Sequence, residues 1–357
     1  MRIGTFASLT ILAAGLLTAW ACGSSSNGPP DEGTYDAAVP PPPPGDEPVP
    51  EEPPPPPPPP VPPCDYAQGF TDIQPLDTLN TPFNEKDMAL APDEKTLYYV
   101  SNLARTGDAG AKTNSLYRSQ RTSLTAPFQT SVLVADPINV AGSSLSNPSL
   151  TTDLKSMYVY VTSGADGGGL GISVATLTGT HYGTPQQIVE LAGSPLREPF
   201  ITADGSTLYA AHPTPVGSGT TTTNLTKVVK DDNGDFGAPT DLVEFKHDKP
   251  YEDSAPVLTP DQLTIVFAST RPPAPLTPKA RQLWIATRAK ATDKFGVPTN
   301  LADLNATDSD SAPSFVSADG CRLYLWRIPA APAADGDPPP TSDLFVAKRP
   351  PAPDPQQ

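Results

Sequence analysis

The sequence predicts an all-β fold, a β-propeller of five four-stranded blades, and three observations carry that prediction. No stretch sustains the apolar period of a helix, whereas short β-branched and aromatic runs separated by turn residues recur along the chain. An Asp followed four positions later by an apolar residue appears as Asp93/Leu97, Asp153/Met157, Asp204/Leu208, Asp261/Ile265 and Asp319/Leu323. These anchors lie roughly 50–60 residues apart, longer than common helical repeats and suited to a four-stranded unit with one long loop. The third observation is an aromatic residue with apolar residues six and nine positions later, as Tyr182/Ile188/Leu191, Phe236/Leu242/Phe245 and Phe295/Leu301/Leu304, with a looser copy from Phe128. One more copy, Phe70–Asn80, precedes every anchor.

Taken in order, residues 1–21 read as a signal peptide: Arg2, an apolar run from Ile3 to Trp20, and a small residue before Cys22. Leu17–Cys22 resembles a bacterial lipoprotein lipobox, which implies that Cys22 is the lipid attachment residue. Acyl chains anchor through roughly 0.8 kcal/mol per buried methylene. Gly23 in place of Asp implies, by the same resemblance, the outer membrane. Residues 22–63 then form an acidic, proline-rich tether with no Lys or Arg after the cysteine and an unbroken run at Pro53–Pro60. Such a segment cannot bury a core and favours extended polyproline II, with a reach of up to on the order of 100 Å.

Residues 64–350 hold the repeats, and 351–357 form a polar tail. Within each repeat the first strand ends at the anchor turn: Met88–Ala91, Pro148–Thr151, Pro199–Thr202, Pro256–Thr259 and Pro313–Ser317. Gly205 and Gly320 follow their anchors, good turn chemistry. The second strands begin at the apolar anchor partner, the third at Ser115, Ile172, Leu225, Leu283 and Leu344, and the aromatic-led motif supplies the fourth. Each unit is a small sheet that buries its faces only by stacking on its neighbours around a ring.

The first-strand Pro, the Thr-Pro-Asp or Ala-Asp-Gly turn and the following Leu-Tyr pair resemble the WD40-like repeats of TolB-type propellers. The best matches are Arg197–Tyr209, Ser254–Phe267 and Ser311–Tyr324. TolB resembles a six-bladed ring, but no gap between anchors here is long enough for a sixth blade. The last repeat lacks a fourth strand, because Asp343–Arg349 runs directly into PPAPDPQQ. Phe70–Asn80 is the spare one, so it is expected to pair beside Leu344–Lys348 and close the ring, removing two sheet edges.

Besides Cys22, only Cys64 and Cys321 are present. Up-and-down topology puts the turn after the last blade's first strand at the same end as the start of its fourth. A Cys64–Cys321 disulfide pinning the closing strand is therefore expected in an oxidising compartment. The net charge of −16 disfavours nucleic acid and anionic lipid headgroups as partners.

Acids precede each first strand: Glu85 and Asp87, Glu198, Asp253, Asp308 and Asp310, with Asn147 at the equivalent point of the second repeat. Ring symmetry would gather several at the channel mouth, where a cation or basic ligand would bind; the competing reading is turn capping and solvation. Asp231–Asp235 superficially resembles a calcium loop but lacks the downstream Glu and falls where a hairpin turn is needed. His181, His212 and His247 show no metal-ligand spacing, and no Gly-x-Ser-x-Gly elbow is present. No cofactor, metal or catalytic residue is expected. The expectation is a monomeric, envelope-anchored module binding a protein, peptide or glycan through its loop-rich face. A hydrolase or lyase acting on envelope or extracellular polymers is the alternative, and a structural module without its own ligand the third.

Overall fold

A computed structural model describes residues 63–66, 68–103, 113–163, 169–216, 221–246, 251–272, 280–306, 309–329 and 340–353. The signal segment, Cys22, nearly all of the tether, His247, Asp308 and much of the loops between second and third strands lie outside these residues. Within them the strands form five sheets, each an antiparallel meander, with the blade-two sheet carrying one additional short strand. The first strands of the blades are Glu85–Leu90, Ser143–Leu150, Arg197–Ile201, Asp253–Leu258 and Ser309–Val316. They line a central channel, and buried clusters fill the spaces between neighbouring sheets.

The anchor Asp builds the same turn in every blade. Its Oδ1 accepts the backbone N–H two residues on, at 2.9 Å for Asp93, 3.0 Å for Asp153, 3.0 Å for Asp204, 2.9 Å for Asp261 and 3.0 Å for Asp319. The intervening residue takes a left-handed φ: Glu94 at 54°, Leu154 at 59°, Gly205 at 72°, Gln262 at 59° and Gly320 at 66°. Only two blades place glycine where that geometry is free of strain.

The aromatic-led motif behaves differently from a simple strand. Beyond the pairing of the leading aromatic at Tyr182 and Phe236, its paired residues are Val132–Leu133, Gln186–Gln187, Thr240–Asp241 and Thr299–Asn300. In blades two to four a Gly-x-Pro after the aromatic explains this. The glycine N–H bonds the third strand (Gly237 to Val229 O 2.9 Å, Gly296 to Thr287 O 2.8 Å), and the proline has no N–H to continue the ladder. A tight turn then folds the last apolar residue inward, as in Val189–Leu191 and Val243–Phe245.

The leading aromatic carries a cation from the end of the third strand. Arg121 lies 4.5 Å from the Phe128 ring centre, Lys230 4.9 Å from Phe236 and Arg288 4.2 Å from Phe295. Each cation also reaches a tyrosine hydroxyl of the preceding blade: Tyr324 at 2.8 Å, Tyr158 at 3.2 Å and Tyr209 at 3.3 Å respectively. Stacking of this kind contributes about 0.5–2 kcal/mol per pair within a blade, and the bond to the tyrosine hydroxyl latches that blade to the one before it.

Phe70–Asn80 closes the ring. Asp72–Pro75 pairs antiparallel with Asp343–Lys348, in the register Asp72↔Lys348 to Pro75↔Phe345. It sustains four paired residues where the other outer strands manage two. The junction reproduces the repeat from opposite ends of the chain: Arg349 stacks 4.3 Å from Phe70. Asn80 imitates a paired backbone, accepting the Leu344 N–H at 2.7 Å and donating to its carbonyl at 3.1 Å. Asn305 does the same for Leu283 at 2.7 and 3.0 Å, and Asn139 for Leu116 at 2.7 and 3.2 Å.

Cys64 and Cys321 form a disulfide with Cα atoms 5.8 Å apart and a sequence separation of 257. Chain entropy over so long a loop corresponds to about 5–6 kcal/mol. Cys321→Ser is therefore expected to lower the denaturation midpoint sharply in oxidising buffer and to leave little further response to a reductant. A variant that melts like the parent would show that the bond adds nothing to closure.

Candidate functional site

The channel has two unlike ends. Where the first strands finish, Leu90, Leu150, Ile201, Leu258 and Phe315 help line an apolar cavity of about 220 Å³. Where they begin, a polar cavity of about 400 Å³ is lined by Lys86, Asp87, Asn147, Arg197, Glu198, Arg281 and Asp310, with Tyr160, Trp326, Ile328 and several amides and hydroxyls. The polar mouth is the candidate site.

Its geometry comes from a β-bulge in each first strand. Aligning the strand pairings makes Asp87, Asn147, Glu198, Ala255 and Pro313 equivalent. The first four take left-handed φ values of 53°, 48°, 55° and 47°. Proline cannot adopt that φ, and blade five instead shifts its irregularity to Ser314. Holding non-glycine residues in the left-handed region costs of order 1 kcal/mol or more each, and the surrounding sheet maintains it.

The structure brings Asp87, Glu198 and Asp310 to the mouth but not Glu85 or Asp253. Several of the acids thus gather at the mouth, as ring symmetry suggests, but Glu85 and Asp253 are not among them. By register Glu85 and Asp253 are equivalent to each other, two residues before the bulge, and that step turns them away from the channel and into the protein. Glu85 is fully buried and accepts from the Thr81 N–H (3.1 Å), the Thr81 hydroxyl (2.6 Å) and the Ser101 hydroxyl (3.0 Å). Burial pushes its carboxyl above the usual range despite those bonds. Asp253 is buried against Arg271, whose guanidinium also stacks 5.5 Å from the Trp284 ring centre.

The three acids that reach the mouth are engaged with neighbouring blades. Asp87 accepts the Asn147 N–H at 3.3 Å, and Glu198 accepts the Ala255 N–H at 2.7 Å. Asp310 accepts the Arg281 backbone N–H at 2.7 Å, just as Asn84 at the equivalent position accepts that of Ser342 at 3.1 Å. Asp310 also receives the Arg281 Nε at 3.0 Å and Nη2 at 3.0 Å. The remaining Arg281 nitrogen lies 3.6 Å from Glu198 and 3.3 Å from Ser254 Oγ, and the guanidinium sits 5.0 Å from the Trp326 ring centre. Burial works against the Arg281 charge, but the bonds to Asp310 and the charges of Asp310, Glu198 and Asp87 outweigh it and raise its pKa.

The other two cations at the mouth are placed differently. Arg197 donates from Nη2 to Thr223 Oγ1 at 3.3 Å, while its Nε is buried without a partner among the described residues. Lys86 forms no hydrogen bond or ion pair among them. These two were not singled out in the sequence, although both stand one residue before a bulge acid.

Elsewhere, the Asp231 carboxylate is taken up by its own turn, accepting the Asn233 N–H at 2.9 Å and the Asp235 N–H at 3.1 Å, with Gly234 at a φ of 89°. Those backbone bonds hold its pKa below the usual value. His181 belongs to the short pair His181–Tyr182. His212 lies within a long strand, Thr207–Pro215, where its Nδ1 is 2.9 Å from Asp241 Oδ1. No group of three or more His, Cys, Asp and Glu among the described residues could hold a metal ion.

No protein-family model and no curated protein sequence matches the chain. Solved structures do resemble it. A thermostable family-43 glycoside hydrolase aligns at 12% identity over 81% of this chain and 98% of its own, with a TM-score of 0.50. TolB from Acinetobacter baumannii aligns at 16% identity over 77% of this chain with a TM-score of 0.38, and this chain spans 57% of its length. A putative TolB from Agrobacterium tumefaciens aligns at 16% identity over 77% of this chain and 89% of its own, with a TM-score of 0.42. At such identities the likeness is one of fold. The chain is a five-bladed β-propeller whose last blade is completed by an N-terminal strand.

Proposed function

We propose that the protein is a binding module that takes its ligand at the polar channel mouth, on a lipid-anchored stalk at the bacterial outer membrane. One observation carries the binding reading: every acid at the mouth is engaged as an acceptor for a neighbouring blade. Glycoside hydrolysis requires one carboxyl able to give a proton and a second free to attack or activate water. Asp310 is clamped by Arg281, and Asp87 and Glu198 hold bulge amides, so moving a proton through any of them would disturb the ring. What the mouth leaves available is recognition chemistry: Tyr160, Ile328, amide and hydroxyl side chains, and two cations. The anchor reading is supported by residues 1–23 and by the proline-rich segment after them.

The test is to assay the purified full chain against peptide and oligosaccharide arrays for binding and, in parallel, for product formation. Binding without turnover is expected, weakened about tenfold or more by Tyr160→Ala. Turnover abolished by Glu198→Gln would overturn the reading in favour of a hydrolase or lyase. For the anchor, Cys22→Ser is expected to move the chain from the membrane fraction to the soluble one; unchanged partitioning would count against lipidation.

A further inference from the structure

The three carboxylates and three cations that line the mouth balance in formal charge, but they do not balance in hydrogen bonding. Arg281 spends its guanidinium on Asp310, Glu198 and Ser254, and the carboxylates spend oxygens on the bulge amides. The Arg197 Nε is buried without an acceptor among the described residues, and the half-buried Lys86 lines the same mouth with no hydrogen bond or ion pair to any of them. Lys86 and Arg197 are register equivalents in blades one and three, flanking the Ser146-Asn147 bulge of blade two. The Thr223 hydroxyl steadies the Arg197 guanidinium from behind. A buried N–H of a charged group left without an acceptor is destabilising, so a ligand that supplies one binds more tightly.

Given that the mouth is the binding site, we propose that its ligand is the C-terminal carboxylate of a peptide, gripped between Lys86 and Arg197. The unmet demand is for an acceptor carrying negative charge, which reverses the expectation of a cation or basic ligand. A polyanion fits poorly, because Asp87, Glu198 and Asp310 stand beside the two donors and the whole chain carries −16. One carboxylate on an otherwise neutral chain avoids that repulsion. A pit ringed by the five first strands admits a chain end rather than the middle of a chain. Side-addition of a peptide strand is also opposed, since the bulge amides of Asn147 and Ala255 are already taken. Beside the cations, Tyr160 and Ile328 offer apolar surface for the terminal side chain, and Asn147 an amide for the last peptide group.

The experiment presents the full chain with a library of N-acetylated tripeptides as free acids and as C-terminal amides, followed by titration of the best binders. Acids are expected to bind at least tenfold more tightly than their amides. Lys86→Met and Arg197→Gln should each weaken the acid more than the amide and so erase most of that difference. Lys86→Met makes the test independent of any folding defect in Arg197→Gln, because Lys86 bonds to no described residue. Equal binding of acid and amide, lost in Tyr160→Ala, would overturn the carboxylate proposal and keep the mouth as the binding site. No peptide binding alongside oligosaccharide binding that Tyr160→Ala weakens would overturn it in the same way. Ligand binding indifferent to every mouth substitution would overturn both readings.

Discussion

Deleting residues 70–80 is expected to abolish the monomeric, cooperatively melting protein. The deletion removes the strand paired with Asp343–Lys348 and the Phe70 ring under Arg349. It also removes Leu79, fully buried in the cluster between the last and first blades, and the Asn80 side chain that mimics a paired backbone at Leu344. The third strand of blade five would then present a bare edge of unpaired backbone groups, the ordinary template for association between chains. Size-exclusion chromatography should show aggregate or material in the void volume, and the melting transition should broaden or vanish. A sharp single transition from a monomeric product would sink the closure argument, because the ring would then hold without its clasp.

The second large effect is expected at Glu94, a turn residue with its side chain buried between blades one and five. Its carboxylate faces Arg322 through two bonds of 2.8 Å, accepts the Tyr324 hydroxyl at 2.8 Å and lies 3.7 Å from Arg121. The hydrogen bonds that Arg322 donates to Glu94 are the main reason that the Arg322 pKa is raised, and burial pushes Tyr324 up. Glu94→Ala would leave a buried guanidinium at Arg121 with no counter-ion and Arg322 with only Asp319 at 2.7 Å. Breaking one side of such a pair costs about 3–5 kcal/mol, more than the pair itself contributes relative to an apolar replacement. The exposed Lys155–Asp153 pair provides the contrast: Lys155→Ala is expected to change stability by less than about 0.5 kcal/mol. Equilibrium denaturation of both variants is the measurement. A Glu94→Ala loss no larger than that of Lys155→Ala would refute the role of the cluster in sealing the ring.

The ring was legible in the sequence because its determinants are local and repeated. The anchor Asp fixes its turn through a bond two residues away, and the spare aromatic-led segment has only one unfilled place to go. The extent of the outer strands was less legible, although Gly183-Thr184-Pro185 and its two counterparts carried the signal. A proline cannot extend the ladder, so the motif reads as plug, short strand and turn. The cation at Arg121, Lys230 and Arg288 precedes its aromatic by six or seven residues and could also have been found from that spacing.

The mouth was only half legible. Acids before each first strand were visible, but their destinations depend on register at a bulge. Two residues separate Glu85, sealed inside, from Asp87, which faces the channel. No composition or periodicity distinguishes the two. Glu94 was illegible for a related reason, since Arg322 and Tyr324 are more than two hundred residues away and meet it only once the ring has closed.

The placement of the disulfide decides where a mechanical load would travel. Tension applied to the chain ahead of Pro63 reaches Cys64 first and crosses the sulfur bridge into blade five at Cys321. The peeling force therefore bypasses the four paired residues of Asp72–Pro75, whose hydrogen bonds would otherwise unzip one after another. Oxidation thus turns a tug at Pro63 into a pull on a whole blade, and a reductant would leave the clasp to bear that strain alone.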